Sequence, residues 1–379
     1  MDFAFSPGQE ELRARVRDFA AERLAPFYQS DDRTAAMRPE LPGELARMGL
    51  LGLRVQREHG GAGADAVTTG LVLEELARAD VNSCYLVLNA ALVADILQAN
   101  SSPEQQSAWL PALASGELIP AICLTEPGHG SDAAAIELRG RQRDGVWLLD
   151  GEKTSIMLGM TATHGLVFAR TGGPGARGVT AFLCELSPVK REAFTDLGNR
   201  AAGRAHLTFD GLAAGPETVV GGEGLGFIQV MRGFDYSRAL IALMAAGTAQ
   251  AALDDALERA RTRAAFGRPL GAFQGLSFPL VEYATQLRAG RALCYEALWR
   301  KDQGLPHTTE ANMVKWWVPR MAADAVQQAL LTFGQAGYSE ELRQAQRLRD
   351  VIALQIADGT AQITKLVVAR QLLGREYAP

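Results

Sequence analysis

The residues of this sequence whose type and spacing suit chemistry lie mostly in short polar segments. Near the C-terminus, Asp358 precedes Gly359 and Thr360, and a lone carboxylate in such a segment could act as a general base. Asp-Gly is also a favoured turn pair, so a purely structural role explains the same residues. Arg263 carries the planar guanidinium that suits a bidentate contact with phosphate, and a solvated surface arginine is the alternative.

A second segment, LTEPGHGSD at residues 124–132, follows a strand-like run and is rich in small residues. Glycine lets a backbone approach a flat ligand closely. Backbone N–H groups and the Thr125 hydroxyl could then hydrogen-bond the polar edge of a ring. A Pro-Gly turn capped by Ser131 or Asp132 accounts for the segment without a ligand.

Two further pairs share faces of predicted helices. Asp235 and Arg238 stand at positions i and i+3, where they could bind a polar ligand or form an ordinary ion pair worth about 0.2–1 kcal/mol. Tyr85 and Asn89 are one helical turn apart and could face a cavity, although core packing explains Tyr85 equally well. We predict no metal site.

The composition excludes several classes of protein. The 379 residues are 47% hydrophobic and carry a formal net charge of −5, which suits a globular chain of two or three domains and gives no basic surface for nucleic acid. Apolar runs such as residues 239–246 are too short to span a bilayer. The four cysteines are widely spaced, as expected for buried thiols in a reducing compartment. With no secretory signal at the N-terminus, we expect a cytoplasmic enzyme without a membrane partner.

The hydrophobic period divides the chain into three predicted domains and an α+β fold. Residues 1–117 have a helical period, and Ser102 with Pro103 marks the start of one helix. Residues 223–379 return to that period, and their long helices joined by short turns predict a four-helix bundle.

The middle domain, residues 118–222, has the pattern of short strands. Apolar runs are separated by Gly, Pro, Asp and Asn, which predicts an antiparallel β-barrel or sandwich. The pair Asp150-Gly151 predicts a hairpin turn, because a tight turn of this kind needs positive φ angles.

Taken together, the segments resemble the signatures of the acyl-CoA dehydrogenase family. Residues 124–132 are similar to the family's TEPGxGSD, and RAAFGRPLGAFQ at residues 263–274 is similar to its RxxFGxPLxxFQ. Arg349-Asp350 followed by residues 358–360 resembles its C-terminal RD and EGT elements. The resemblance spans essentially the whole chain and implies an FAD enzyme.

The resemblance also implies which residues form the site. FAD contacts are expected at Leu124, Thr125, Gly130, Ser131, Ser155, Met157, Arg263, Phe266, Gln274, Gln335, Thr360 and Gln362. Substrate contacts are expected at Tyr85, Asn89, Ser131, Asp235, Arg238 and Gly359. In the family, the positions of Arg263, Phe266 and Gln274 reach the FAD of a neighbouring subunit, which implies an obligatory oligomer, typically a homotetramer.

The implied reaction removes an α-proton from an acyl-CoA thioester and transfers the β-hydride to flavin N5. Asp358 stands where most relatives carry a glutamate base, so the carboxylate is one methylene shorter. The family's other position for the base is Ser237, which cannot serve. Electrons would leave to an electron-transferring flavoprotein.

Several positions depart from the family pattern. Ser155 and Met157 stand where many relatives have Trp-Ile-Thr against the flavin, and Gln335 replaces a glycine. The string at residues 355–363 most resembles the cyclohexanecarboxyl-CoA dehydrogenase branch, so we expect a short, branched or alicyclic acyl-CoA. A flavin oxidase of a carbon acid such as a nitroalkane, a dehydrogenase of carrier-protein-tethered acyl groups and a non-catalytic acyl-CoA-binding homologue are the alternatives.

Overall fold

The computed structural model describes residues 4–377 and confirms the order helical, β, helical along the chain. The first three residues, on which the expectation of no secretory signal partly rests, lie outside the described residues. The four cysteines are buried and free, as expected.

Two of the N-terminal helices begin at a capping box. Ser102 accepts a hydrogen bond from the backbone of Gln105, whose side chain bonds back to Ser102, and Pro103 occupies the first position. Ser6 and Gln9 form the same capping box. The helices are α1 (Pro7–Phe19), α2 (Tyr28–Thr34), α3 (Leu41–Arg47), α4 (Ala66–Ala79), α5 (Cys84–Asn100) and α6 (Pro103–Ser115).

The middle of the chain forms one curled seven-stranded sheet of order β1-β4-β2-β3-β7-β6, with β5 also paired to β4. Its strands are β1 (Pro120–Cys123), β2 (Arg139–Arg143), β3 (Val146–Ile156), β4 (His164–Arg170), β5 (Val179–Glu185), β6 (Lys190–Ala193) and β7 (Ala205–Ala214).

The sheet is mixed, so the prediction of an antiparallel barrel or sandwich was wrong in this respect. β1 runs parallel to β4 along its whole length, and β2 meets β4 in parallel at Arg139 and Arg170. The segment between β1 and β4 contains the polar loop and the β2–β3 hairpin. It is long enough for β4 to return beside β1 in the parallel direction.

The hairpin prediction at Asp150-Gly151 was also wrong. The turn between β2 and β3 is formed by Asp144 and Gly145, both of which have positive φ angles. Asp150-Gly151 lies inside β3, where the register with β7 shifts as in a β-bulge. An Asp-Gly pair is therefore compatible with a turn at residues 144–145 and with a bulge at residues 150–151. Pairing of β3 with β7 determines which of the two forms.

The C-terminal part is helical and contains three long helices followed by two shorter ones. β8 (Ala264–Ala265) and β9 (Arg268–Pro269) form a small hairpin between the first two helices. The helices are α7 (Gly226–Thr262), α8 (Gln274–Asp302), α9 (Thr308–Thr332), α10 (Arg343–Ala353) and α11 (Ala361–Leu373).

Helix α7 is the central element, since it packs against α4, α5, α8, α9 and α10. Gly247 permits this packing, because a Cβ there would lie 2.3 Å from the carbonyl oxygen of Glu74 on α4. By length and composition alone α7 could cross a membrane, which the short apolar runs did not suggest. Most of its apolar window is buried inside the molecule, as in the core helix of a soluble protein.

Candidate active site

A cavity of about 590 Å³ lies where the sheet meets the helices. One wall is the loop after β1, a second is formed by α5 and α7, and the turn between α10 and α11 closes the third side. On α7 the lining residues recur every three or four positions, so they occupy one helical face. They are Phe227, Met231, Phe234, Arg238 and Ile241.

Asp358 lies in the turn between α10 and α11, half-buried at the cavity wall. Its φ is +52° and that of Gly359 is +106°, values that aspartate and glycine tolerate better than other residues. Thr360 then caps α11 through a hydrogen bond from the backbone N–H of Ile363. The Asp-Gly-Thr string is therefore a turn and a helix start, and it also presents a carboxylate to the cavity.

Three neighbouring groups hold this turn. The Ser237 hydroxyl donates to Oδ2 of Asp358, and Nε of Arg238 donates to the Asp358 carbonyl oxygen at 3.0 Å. Nζ of Lys315 donates to the Gly359 carbonyl oxygen at 3.1 Å. Burial raises the pKa of Asp358 above its ordinary value, while Ser237, Lys315 and Arg238 oppose that rise by favouring the charged form.

The loop after β1 is anchored by a buried ion pair. Nζ of Lys153 lies 2.8 Å from Oε1 of Glu126 and also donates to the Leu124 carbonyl oxygen at 2.8 Å. The other donors to Glu126 are the backbone N–H groups of Glu137 and Leu138. Desolvation lowers the pKa of Lys153 to about 8, although Glu126 favours its charge. These contacts fix the backbone that carries Thr125 along the cavity.

The same loop has room for a flat ligand. A Cβ added to Gly128 or Gly130 would meet no atom within 4 Å, and Gly130 lines the cavity together with Thr125 and Ser131. The cavity therefore combines open space with hydroxyl and backbone groups, and its residues fit the ring system of FAD.

Near the C-terminal end of β3, the guanidinium of Arg204 lies beside Ser155. Nη1 of Arg204 donates to the Ser155 hydroxyl at 2.9 Å. The guanidinium is paired with Asp196 and lies 4.2 Å from the centroid of the Phe194 ring. Ser155, Arg204 and Asp196 all line the cavity, so this part of its wall is polar.

The α5 wall contains a hydroxyl group with no partner. Tyr85 is 3% exposed, and within residues 4–377 its Oη has no hydrogen-bond partner. One turn later, Nδ2 of Asn89 donates to the Pro120 carbonyl oxygen at 3.2 Å. Both residues line the cavity, so a ligand or water there would satisfy the Tyr85 hydroxyl.

The cavity brings together most of the residues predicted from the sequence. Those that line it are Tyr85, Asn89, Leu124, Thr125, Gly130, Ser131, Ser155, Met157, Arg238, Asp358, Gly359 and Thr360.

Five predicted residues instead lie on the surface of the chain: Arg263, Phe266, Gln274, Gln335 and Gln362. Phe266 is 95% exposed. For Arg263, Phe266, Gln274 and Gln335, a role at a flavin would require a second copy of the chain, and that role stays a prediction. Gln362 lies between the cavity-lining Thr360 and Ile363, and its flavin contact stays a prediction as well.

Asp235 does not line the cavity, and its substrate contact stays a prediction. Its Oδ1 pairs with Nη1 of Arg238 at 3.0 Å, and its Oδ2 accepts from the Thr308 hydroxyl at 2.7 Å. The carboxylate therefore faces α9. The structure thus contains the ion pair, and binding of a polar ligand by the same two residues stays a prediction.

Three residues of the site were not predicted as such: Ser237, Lys315 and Arg204. Ser237 lies on α7 between the cavity-lining Phe234 and Arg238, three positions after Phe234, and that spacing could have identified it. Lys315 and Arg204 reach the site from α9 and from the start of β7, and no local pattern relates them to Asp358 or Ser155.

Comparison with protein families matches three domains in succession. Residues 6–117 match "Acyl-CoA dehydrogenase, N-terminal domain", residues 121–212 match the middle domain of that family, and residues 224–373 match its C-terminal domain.

Individual relatives are similar over nearly the whole chain. An acyl-CoA dehydrogenase of Bacillus subtilis is 33% identical, over 97% of this chain and 98% of that protein. A 3-(aryl)acrylate reductase of Clostridium sporogenes is 31% identical, over 97% and 99%. The solved structure of butyryl-CoA dehydrogenase from Megasphaera elsdenii superposes with a TM-score of 0.95 at 31% identity, over 98% of this chain and 100% of that one.

Proposed function

Because this chain belongs to the acyl-CoA dehydrogenase family of FAD-dependent oxidoreductases, we propose that it dehydrogenates a short, branched or alicyclic acyl-CoA thioester. Cyclohexanecarboxyl-CoA is the first candidate. The observation that carries the proposal is the Asp358 carboxylate, which faces the cavity and is hydrogen-bonded by Ser237.

Asp358 is proposed to remove the α-proton. A general base must be ionised and within reach of the proton, and Ser237, Arg238 and Lys315 favour the ionised form. Its backbone N–H is assigned to the thioester carbonyl, as the family resemblance implies. When bound, FAD accepts the β-hydride. Thr125, Ser131 and the backbone around Gly130 are proposed to hold it.

The shorter side chain of the base favours a substrate with a bulky α-carbon. Aspartate ends one methylene earlier than glutamate, so it leaves more room between the turn and the substrate. An α-carbon that carries a ring or a branch needs that room, whereas a linear chain would lie too far from the base. The acyl space is bounded by Tyr85, Leu88 and Leu92 on α5, and by Phe227, Met231 and Ile241 on α7.

The proposed partners follow the family. Electrons are proposed to pass to an electron-transferring flavoprotein, and the chain is proposed to work as a homotetramer in the cytoplasm. Arg263, Phe266, Gln274 and Gln335 are the surface residues assigned to the FAD of a neighbouring copy.

The decisive experiment is anaerobic bleaching of the FAD-loaded protein with a panel of acyl-CoA esters. We expect cyclohexanecarboxyl-CoA and other α-branched esters to reduce the flavin faster than butyryl-CoA. Asp358→Asn should abolish reduction while FAD remains bound. Turnover of Asp358→Asn at the wild-type rate would refute the assignment of the base.

The alternatives predict different results with the same protein and substrates. When air is admitted to the substrate-reduced protein, rapid flavin reoxidation with formation of hydrogen peroxide and no added acceptor would indicate an oxidase. Reduction by acyl-carrier-protein thioesters but by no CoA ester would indicate a carrier-bound substrate. A flavin that no thioester bleaches would indicate a non-catalytic homologue.

A further inference from the structure

Lys315 is a fully buried lysine whose charge has no carboxylate beside it. It lies on α9 with 0% exposure, and its ammonium group donates to the Gly359 carbonyl oxygen at 3.1 Å. Among residues 4–377 it forms no ion pair. A buried ammonium group is costly unless it is paired, so this arrangement requires a reason.

Lys153 provides a comparison within the same molecule. It is equally buried, but its ammonium group contacts the Glu126 carboxylate directly at 2.8 Å. Desolvation lowers the pKa of each lysine to about 8. Both lysines thus have a lowered pKa, but only Lys153 has a carboxylate in contact with its ammonium group.

The carboxylate that balances the Lys315 charge is that of Asp358, the residue before Gly359 in the turn. Asp358 favours the charged form of Lys315, while Arg238 opposes it. Asp235 is not the carboxylate that balances Lys315, because it already pairs with Arg238 at 3.0 Å. The groups that face the Asp358 carboxylate are thus Tyr85 from α5, Ser237 and Arg238 from α7, and Lys315 from α9.

We propose that Lys315 is a positioning residue for the reaction: it holds the Gly359 carbonyl and keeps the Asp358 carboxylate ionised when substrate excludes water from the cavity. The inference rests on the proposed role of Asp358 as the base. Two cations then hold successive carbonyl groups of one turn, Arg238 at Asp358 and Lys315 at Gly359. The interaction between the charges strengthens when water leaves, because the local dielectric constant falls.

Two variants separate the charge of Lys315 from its hydrogen bond. Lys315→Gln keeps a donor for the Gly359 carbonyl without the charge, and Lys315→Met keeps neither. We expect both to move the acid limb of substrate-induced flavin reduction upward by about one pH unit, so that the rate below the limb falls about tenfold. Lys365→Met is the control, because Lys365 is an exposed lysine of α11 whose ammonium group lies 4.5 Å from the centroid of the Trp316 ring.

A purely structural role gives a different pattern in these profiles. If the hydrogen bond alone matters, Lys315→Gln keeps the wild-type pH profile. If Lys315 merely supports the fold, both variants lose rate by the same factor at every pH. Either result overturns the proposal.

A second measurement needs neither turnover nor a Lys315 variant. The chain contains five lysines, so 13C-labelled lysine side chains can be titrated individually by NMR in the FAD-loaded protein. Asp358→Asn removes the balancing charge, and we expect the pKa of Lys315 to fall by about one unit while that of Lys153 is unchanged. An unchanged Lys315 titration would overturn the coupling.

The two proposals fail separately. Full turnover by Asp358→Asn would remove the base assignment whatever the lysine titration shows. Loss of turnover with an unmoved Lys315 titration would keep the base and remove the coupling.

Discussion

Asp358 has a left-handed backbone conformation and also presents its carboxylate to the cavity. Its φ of +52° is accessible to aspartate at lower cost than to most side chains. A short side chain on such a turn reaches less far into the cavity, and the Ser237 hydroxyl fixes where it ends. The backbone conformation of this turn and the choice of aspartate as the base are therefore coupled.

The Ser237 hydroxyl favours the ionised form of Asp358, so Ser237→Ala should raise the pKa of this carboxylate further. A hydrogen bond to a charged group is worth about 1.5–3 kcal/mol, which corresponds to about one to two pH units. Only the ionised base removes a proton, and the rate falls as pH drops through its pKa. We expect the acid limb of flavin reduction to move to higher pH, with the rate above the limb largely retained.

Ser277→Ala is the matched control for this prediction. Its hydroxyl donates to the carbonyl of Phe273, the residue before α8, outside the cavity, and the acid limb should not move. An acid limb that stays in place in Ser237→Ala as well would show that the hydroxyl does not tune the base.

Tyr85 and Tyr28 are both buried, but only Tyr28 has a partner for its hydroxyl. Tyr28 donates to Oδ2 of Asp350 at 2.7 Å, whereas the Tyr85 hydroxyl has no partner within residues 4–377. Tyr28→Phe should therefore lower the free energy of unfolding by about 1.5–3 kcal/mol, and Tyr85→Phe should change it by less than about 0.5 kcal/mol. Chemical denaturation of the two variants checks this. Equal losses would mean that the Tyr85 hydroxyl is satisfied in the folded protein.

Local sequence could predict the site residues that act through the backbone and the turn. Asp358, Gly359, Thr360 and the loop at residues 124–132 carry their own conformational signals. Lys315 could not be found in this way, because its role depends on how α9 packs beside a turn more than forty residues later in the chain. The direction of a side chain such as Asp235 likewise depends on which helix covers it.

At the scale of elements, Asp350 connects all three parts of the chain. Its carboxylate accepts hydrogen bonds from Tyr28 near the N-terminus, from Asn82 before α5 and from the backbone N–H of Asn199 in the β region. Asp350 itself lies on α10 and is fully buried. α10 ends about one turn after Asp350, and the segment with Asp358 follows. The hydrogen bonds of Asp350 therefore hold the helix that precedes the base.

Asp350→Ala should therefore be strongly destabilising. It leaves the Tyr28 hydroxyl and the Asn199 N–H buried without their acceptor, and we expect the free energy of unfolding to fall by about 3–5 kcal/mol. Asp254→Ala is the control, because its carboxylate is 44% exposed and pairs with Arg78 near the surface, and a loss below about 1 kcal/mol is expected. Thermal or urea denaturation measures both. A loss for Asp350→Ala no larger than that of the control would contradict the connecting role.

The helices were predictable from the sequence, and the sheet topology was not. Helix starts such as Ser102-Pro103 are determined by hydrogen bonds within four residues, so the local sequence predicts them. The parallel pairing of β1 with β4 joins strands about forty residues apart, and no periodicity records it. The same holds for Asp150-Gly151, whose bulge exists only because β7 pairs alongside.

At the scale of the whole molecule, one chain leaves large apolar side chains in water. Monomeric proteins rarely expose extended apolar patches, and those that exist usually mark interaction surfaces. The exposed residues of the C-terminal part include Phe266, Phe278, Val281, Leu331, Tyr338, Leu372 and Leu373. Phe266 lies between β8 and β9 among the residues whose predicted FAD contacts need a second copy, so assembly and cofactor binding are expected to depend on each other.

Phe266→Ser tests that dependence. Burial of a phenylalanine is worth about 1.5–3 kcal/mol, so its loss at each copy of an interface should shift the assembly to smaller species. We expect sedimentation to show a lower mass, FAD affinity to fall at least about tenfold, and the far-ultraviolet circular dichroism to stay unchanged. Met160→Ser, a change at a 43% exposed residue in the β region, should leave mass and affinity unaltered. Because the cavity within one chain already contains the Asp358 turn and the loop at residues 124–132, a monomeric Phe266→Ser protein that binds FAD as tightly as the wild type would mean that one chain forms the complete cofactor site.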